Sequence, residues 1–169
     1  MTIEPEALTL PPSGAMPNNP WLPALIYRAA LPPGTPDKAA AFEDLFGRNG
    51  WPAQWRNGIF AYHHYHAEAH EVLGIARGGT AVLLGGPDGP LVQVSAGDVL
   101  VLPAGTGHRN MTPEADLLTV GAYPPGAVCD VRRDALPAEA MARMRHVPFP
   151  DSDPVLGHGG ALTRLWMHR

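Results

Sequence analysis

Cysteine is almost absent from this chain. Cys129 is the only one, which excludes an internal disulfide and a metal cage built from several thiolates. Charge is sparse too: Asp, Glu, Lys and Arg make up 17% of the 169 residues, and the net charge is −4. The 12 Lys and Arg residues are scattered, so the concentrated positive face of a nucleic-acid binder is missing. No run approaches the roughly 20 apolar residues of a membrane-spanning helix. The opening MTIEPEALTLPPSG is acidic and Pro-rich, without the basic and apolar regions of a signal peptide. These absences lead us to expect a soluble, cytoplasmic protein with no nucleic-acid partner and no membrane contact.

What the chain has in plenty is turn chemistry. Twenty Pro and 19 Gly in a sequence that is 45% hydrophobic indicate many tight corners around a real core, the composition of an all-β domain rather than of disorder. The length suits one domain with flanking segments. Residues 1–20 read as an extended, poorly ordered arm. Trp21 to Leu31 reads as a strand interrupted at Pro23. Pro36 to Arg48 has the marks of a helix, with Thr35 as cap and Ala39, Phe42, Leu45 and Phe46 at helical spacing. Strands are expected at 58–66, 70–77, 79–85, 91–95, 98–102 and 116–123, separated by turn sequences at 85–90 and 95–98. A second helix is expected from Pro137 to Arg145. The tail, 146–169, keeps Phe149, Leu156, Leu165 and Trp166, which suggests packing on the body or on a second subunit. The chain thus divides into 1–54 (arm, strand and helix), 55–125 (barrel core) and 126–169 (helix and extended tail). The spare apolar residues of both flanks point to a homodimer.

Chemistry concentrates at His64, His66, Glu71 and His108. Three imidazoles and one carboxylate, without thiolate, suit a hard-to-borderline divalent metal. His64 and His66 differ by two, so on a strand both rings share a face. Phe60 and Tyr62 fall on that face as well, and Leu73 shares Glu71's, which describes a mostly apolar pocket with one phenol. His63 and Tyr65 point the other way. His66 and His70 also have the spacing of a helical zinc pair, but the metalloprotease pattern needs Glu directly after the first His, and Ala67 stands there. His146, His158 and His168 read as solvated tail residues. Trp51 and Trp55 read as core or interface anchors, and Arg77, Arg109 and Asn110 as residues able to line a pocket mouth.

Gly58-x5-His64-x-His66-x4-Glu71-x6-Gly78 resembles the first motif of the cupin superfamily. Gly97-x5-Pro103-x-Gly105-x2-His108 resembles the second, up to its histidine. Four residues on, the superfamily pattern has Asn where this chain has Thr112, with Asn110 two residues earlier. The resemblance covers roughly 55–125, and PNNPWLPALIYRAAL and GAYPPG in the flanks resemble small single-domain bacterial cupins. It implies an all-β fold, a double-stranded β-helix (jelly-roll barrel) with short flanking α-helices. It further implies one divalent metal ion per chain (Fe, Mn, Ni, Co or Zn), ligated by His64, His66, Glu71 and His108. The spacing tolerated in the superfamily leaves His70 as a competitor to Glu71. The expected function is a metalloenzyme acting on a small oxygenated metabolite, as an oxygenase, isomerase or lyase. The alternative is a non-catalytic module binding a small-molecule ligand. Tyr62 and an uncoordinated His70 are the candidates for proton transfer.

Overall fold

A computed structural model describes residues 3–113 and 115–167; His168 lies outside the described residues. Eight strands form one antiparallel system: β1 (Glu6–Leu8), β2 (Ala24–Tyr27), β3 (Ala53–Asn57), β4 (Glu71–Leu84), β5 (Leu91–Ser95), β6 (Val99–Leu102), β7 (His108–Asn110) and β8 (Leu117–Ala122). Three helices flank it: α1 (Lys38–Arg48), α2 (Ala138–Met144) and α3 (Ala161–Met167). The fold is all-β with short flanking helices, as the motifs imply.

The long β4 organises the barrel. Its first half runs between β6 and β8, and its second half between β5 and β7. The expected strands at 70–77 and 79–85 are therefore one strand that changes partners. The hinge is Gly78, which has φ of +79°, and a Cβ there would sit 1.6 Å from the Asp116 carbonyl oxygen. Only glycine lets the chain swing through so tight a passage. The register against β8 slips between Ile75 and Arg77 just before it.

Alternation along β4 sorts two cores. Leu73 and Ile75 face inward with Leu100, Leu102, Val82 and Leu84. Val72 faces outward with Val99, Val101 and Val120, under Phe42 and Phe46 of α1 and Trp51 and Trp166. Gly74 lies on that outer face, where a Cβ would meet the Phe42 ring at 2.7 Å. Helix α1 begins two residues later than the pattern suggests. Asp37, not Thr35, caps it by accepting from the Ala40 amide at 3.2 Å, because Pro36 keeps the preceding residues out of the first turn.

Three expectations are corrected. Residues 58–66 do not form a strand; this stretch pairs only through single bridges, His64 with His108 and Tyr65 with Arg132. The N-terminal arm is not loose: β1 pairs with β2, and Met16, Asn18 and Asn19 are buried. Asn18 donates to the Gly85 carbonyl and accepts from the Gly107 amide, which fixes the arm to the loop before β7. The tail is not merely extended. Asp153, fully buried, accepts from the amides of Val155, Leu156 and Leu162 and from the Tyr27 hydroxyl, and so anchors α3. Trp166 donates to the Pro23 carbonyl at 2.9 Å.

Candidate metal centre

Glu71 opens β4 opposite Leu102 of β6, and alternation turns it inward with Leu73. His108 opens β7 and is bonded twice to His64 through backbone: the His64 amide reaches the His108 carbonyl at 3.2 Å, and the return bond is 2.9 Å. The His66 carbonyl accepts from Gly105 at 2.7 Å. The second motif loop thus fastens the first, which is why a stretch without regular strand structure still holds two imidazoles in place. Ring centroids are 4.0 Å apart for His64 and His108, 5.5 Å for His66 and His108, and 5.7 Å for His64 and His66. One donor atom from each of the three lies within 4.8 Å of the others.

Each ring is oriented by a backbone carbonyl. Nδ1 of His64 donates to Tyr62, that of His108 to Thr106 (3.0 Å each), and that of His66 to Asp130. A carbonyl can only accept, so Nδ1 carries the proton and the Nε2 lone pair is left for the centre. Nε2 of His66 and of His108 each stand 3.3 Å from Oε1 of Glu71, off the hydrogen-bonding line, and that buried oxygen has no hydrogen bond. Inward lone pairs facing an unpartnered carboxylate oxygen repel one another unless a cation sits among them. The residues fit a divalent ion, and His64, His66, Glu71 and His108 would hold it.

Without an ion, protons carry that charge. Burial alone would lower His66, but the Glu71 carboxylate overrides it and pushes the imidazole up to about 11. Burial would raise Glu71, yet His66 holds its carboxyl far below the usual range. Burial, reinforced by His108, lowers His64 to about 3.

The second motif's missing Asn is compensated. Asn110 accepts from the Thr112 amide at 3.0 Å, and the Thr80 hydroxyl bonds both Asn110 and Thr112. The corner that follows His108 is therefore built from three polar side chains instead of one.

The four donors open onto a cavity of about 690 Å³, walled by Trp55, Ile59, Phe60, Leu73, Tyr123, Pro124, Pro125 and Val131 among others. His70 is not part of it. That ring is buried on the other side, 4.9 Å from the Trp166 ring, with Nδ1 accepting from the Ala104 amide at 2.9 Å. Burial lowers it to about 4. Tyr62 stands off the cavity wall, stacked on Phe60 with the Arg133 guanidinium 3.9 Å above its ring. Arg77 and Arg109 do not line the cavity; they engage Asp116 and the Ala61 carbonyl. His146 and His158 are exposed.

Sequence reasoning missed three residues here. Cys129 lines the cavity with Sγ 3.3 Å from Nδ1 of His66. Tyr123 accepts from the Trp55 indole at 2.8 Å, and burial, followed by the Glu71 charge, raises its pKa. Asp130 accepts from the amides of Ala67 and Glu68 and from Arg132, which locks the segment that orients His66. GAYPPG was the one local hint, since it turns the chain back over the site just after β8.

No protein-family model matches the chain. The Bacillus subtilis (strain 168) protein described as "Uncharacterized protein YjlB" is 32% identical over 169 residues, 99% of this chain and 99% of that one. The chain belongs to the YjlB family. Among solved structures, an acireductone dioxygenase from Bacillus anthracis, with cadmium ion in its active center, has TM-score 0.41 and 17% identity over 63% of this chain and 82% of that one. Procruciferin, an 11S globulin from Brassica napus, has TM-score 0.34 and 17% identity over 76% of this chain and 28% of that one. A cupin 2 domain-containing protein from Halorhodospira halophila has TM-score 0.33 and 14% identity over 87% of this chain and 79% of that one. Likenesses this loose leave the site of this YjlB-family chain to its own geometry. In that geometry both motif segments close on one cavity of an antiparallel barrel.

Proposed function

We propose that this protein is a metal-dependent cupin enzyme acting on a small oxygenated metabolite, with one divalent ion held by His64, His66, Glu71 and His108. The observation that carries the reading is the buried Glu71 Oε1 without a hydrogen bond, facing imidazoles whose Nδ1 protons are all committed to backbone carbonyls. When bound, the ion supplies a Lewis acid able to take two oxygens of a substrate, or a site for O2 if it is iron. The chain's own part is to orient and enclose. Backbone carbonyls fix the three rings, and the buried Leu73 and Tyr123 line the cavity beside them. Elemental analysis of protein grown with Fe, Mn, Ni, Co and Zn is expected to find about one ion per chain. Protein that stays empty in all five would refute the reading.

The second reading, a non-catalytic module that binds a small molecule, is favoured by one observation. Neither Tyr62 nor His70 is among the described residues that line the cavity, and the Tyr123 phenol is held protonated, so neither expected candidate for proton transfer stands beside the ion-holding set. Metal-dependent turnover in a metabolite screen would exclude this reading. We also propose a homodimer, supported by exposed Leu91, Val128 and Val131; light scattering should then give twice the 18.0 kDa chain mass.

A further inference from the structure

We infer that a second cavity, sharing no residue with the one above the four donors, binds a monocarboxylate with an apolar body. Neither the proposed ion nor any reaction at it enters this inference.

The cavity measures about 480 Å³, within the size range of small-molecule sites. Trp21 and Leu22 contribute from the N-terminal segment, and Met144, Val147 and Phe149 from the end of α2 and the residues after it. That wall is largely carbon, and neither Asp nor Glu is among the described residues that line it. Asn19, its one amide side chain, is already committed. Nδ2 donates to the Ala104 carbonyl at 3.0 Å, and Oδ1 accepts from the Trp21 and Leu22 amides.

What remains at the wall is a set of donors without acceptors. The Arg145 guanidinium stands 4.2 Å from the centre of the Trp21 ring, a contact that calls for no acceptor. Among the described residues Arg145 has neither ion pair nor hydrogen bond. By contrast Arg28, Arg48, Arg56, Arg77, Arg132 and Arg164 each meet a carboxylate. The Trp21 indole N–H has no acceptor among the described residues either. His70 lies deepest, with 1% of its surface exposed. Its Nδ1 accepts from the Ala104 amide at 2.9 Å, so Nε2 carries the proton. That N–H faces the Pro148 carbonyl without completing a hydrogen bond. His146 is exposed at the wall and keeps water as its partner.

Donors of this kind select an acceptor. A carboxylate takes two N–H bonds from one guanidinium in a fork, and Arg145, the one Lys or Arg among the described lining residues, balances one negative charge. The apolar remainder of the ligand covers Val147 and Phe149, which are otherwise partly exposed to water.

The test resolves the two cavities residue by residue. Full-length protein labelled with nitrogen-15 is titrated by NMR with octanoate. Octanamide, which keeps the chain without the charge, and acetate, which keeps the charge without the chain, are titrated separately. The Trp21 indole and Arg145 Nε–H signals report this cavity, and the Trp55 indole reports the one above the four donors. We expect octanoate to shift the first two signals saturably, with Kd below about 1 mM. Octanamide and acetate should each bind at least about 10-fold more weakly. Arg145→Gln should bring octanoate down to the octanamide level. Ala142→Trp, at an exposed helix position that lines the cavity, should block octanoate while the circular dichroism spectrum stays unchanged. Octanamide binding as tightly as octanoate overturns the charge argument. Octanoate that shifts Trp55 alone, or shifts nothing up to about 10 mM, overturns the site, and so does full octanoate affinity in both variants.

Discussion

At the scale of single residues, the four donors of the proposed ion were legible and their supports were not. The donors announce themselves through spacing: one residue between the two histidines, then the glycines and proline that end strands around them. Tyr123, Cys129 and Asp130 carry no such signature. Asp130 reaches Ala67 and Glu68 from more than 60 positions away, and only folding reveals what it holds. That support can be tested. Asp130→Ala frees the Ala67 and Glu68 amides and loosens the carbonyl that fixes His66, so Co(II) affinity should fall about 10- to 100-fold with the fold intact. Unchanged affinity would mean that His66 is held by its own loop. Glu71→Gln tests ion binding and stability together. The amide keeps the shape but removes the charge, so ion affinity should drop by at least ~100-fold. The metal-free protein should also lose stability near pH 6.5, because removing one partner of a buried pair takes away the charge that holds the His66 proton. Urea denaturation of the variant, read beside Co(II) titration, checks both halves. The raised His66 adds a signature of its own. At pH 8 metal uptake must expel its proton, so calorimetry in buffers of different ionisation heat should find about one proton released per ion. An imidazole with an ordinary pKa of about 6.5 would release almost none.

Among elements, the sequence located most strands and misjudged how they join. β5, β6 and β8 lie within a residue or so of their expected limits, since alternation between turn-rich segments fixes them. β4 was divided in two because Gly78 and Gly79 read as a break. The structure uses Gly78 as a bend inside a continuous strand. The 58–66 run looked like a strand because β-forming side chains alternate there, but its backbone bonds go to scattered partners, among them Asn110 to the Phe60 carbonyl and Arg132 to Tyr65. α3 was hidden by the prolines before it, and a buried aspartate provides what local propensity lacks. Gly78→Ala follows from this. It puts a methyl where the Asp116 carbonyl lies and forces φ of +79° on a residue that resists it, so a loss of about 2–4 kcal/mol is expected in urea denaturation. Trp166→Ala should cost a similar amount, roughly 3–5 kcal/mol, because its fully buried ring closes the outer core between Pro23 and His70. Neither residue touches the ion-holding set, so Co(II) affinity should survive both changes wherever the protein stays folded.

The whole molecule combines these parts in its response to pH. Among the described residues no helix is long and apolar enough to cross a membrane, and both faces of the barrel wall are packed. Two kinds of buried histidine are present, and they pull stability in opposite directions. His64 and His70 are lowered to about 3 and about 4. The unfolded chain therefore binds more protons than the folded one below about pH 6.5. Their contribution is complete above that pH and is lost as pH falls toward their folded values. His66, raised to about 11, behaves conversely. Its contribution is complete below about pH 6.5 and drains away as pH rises through 11. Metal-free protein should accordingly be most stable between about pH 6 and 7, with losses on the order of a few kcal/mol at pH 4.5 and at pH 10, at ~1.4 kcal/mol per pKa unit. Bound metal changes both sides of this curve. The ion replaces the His66 proton as the partner of Glu71, so the alkaline limb should flatten in the Co(II)-loaded protein. The acid limb should steepen, because protons now compete with the ion for all three imidazoles. Urea midpoints at pH 5, 6.5 and 9, with and without Co(II), trace both limbs. A metal-free protein that keeps gaining stability from pH 6.5 to 9 would contradict the His66–Glu71 pairing on which the centre is built.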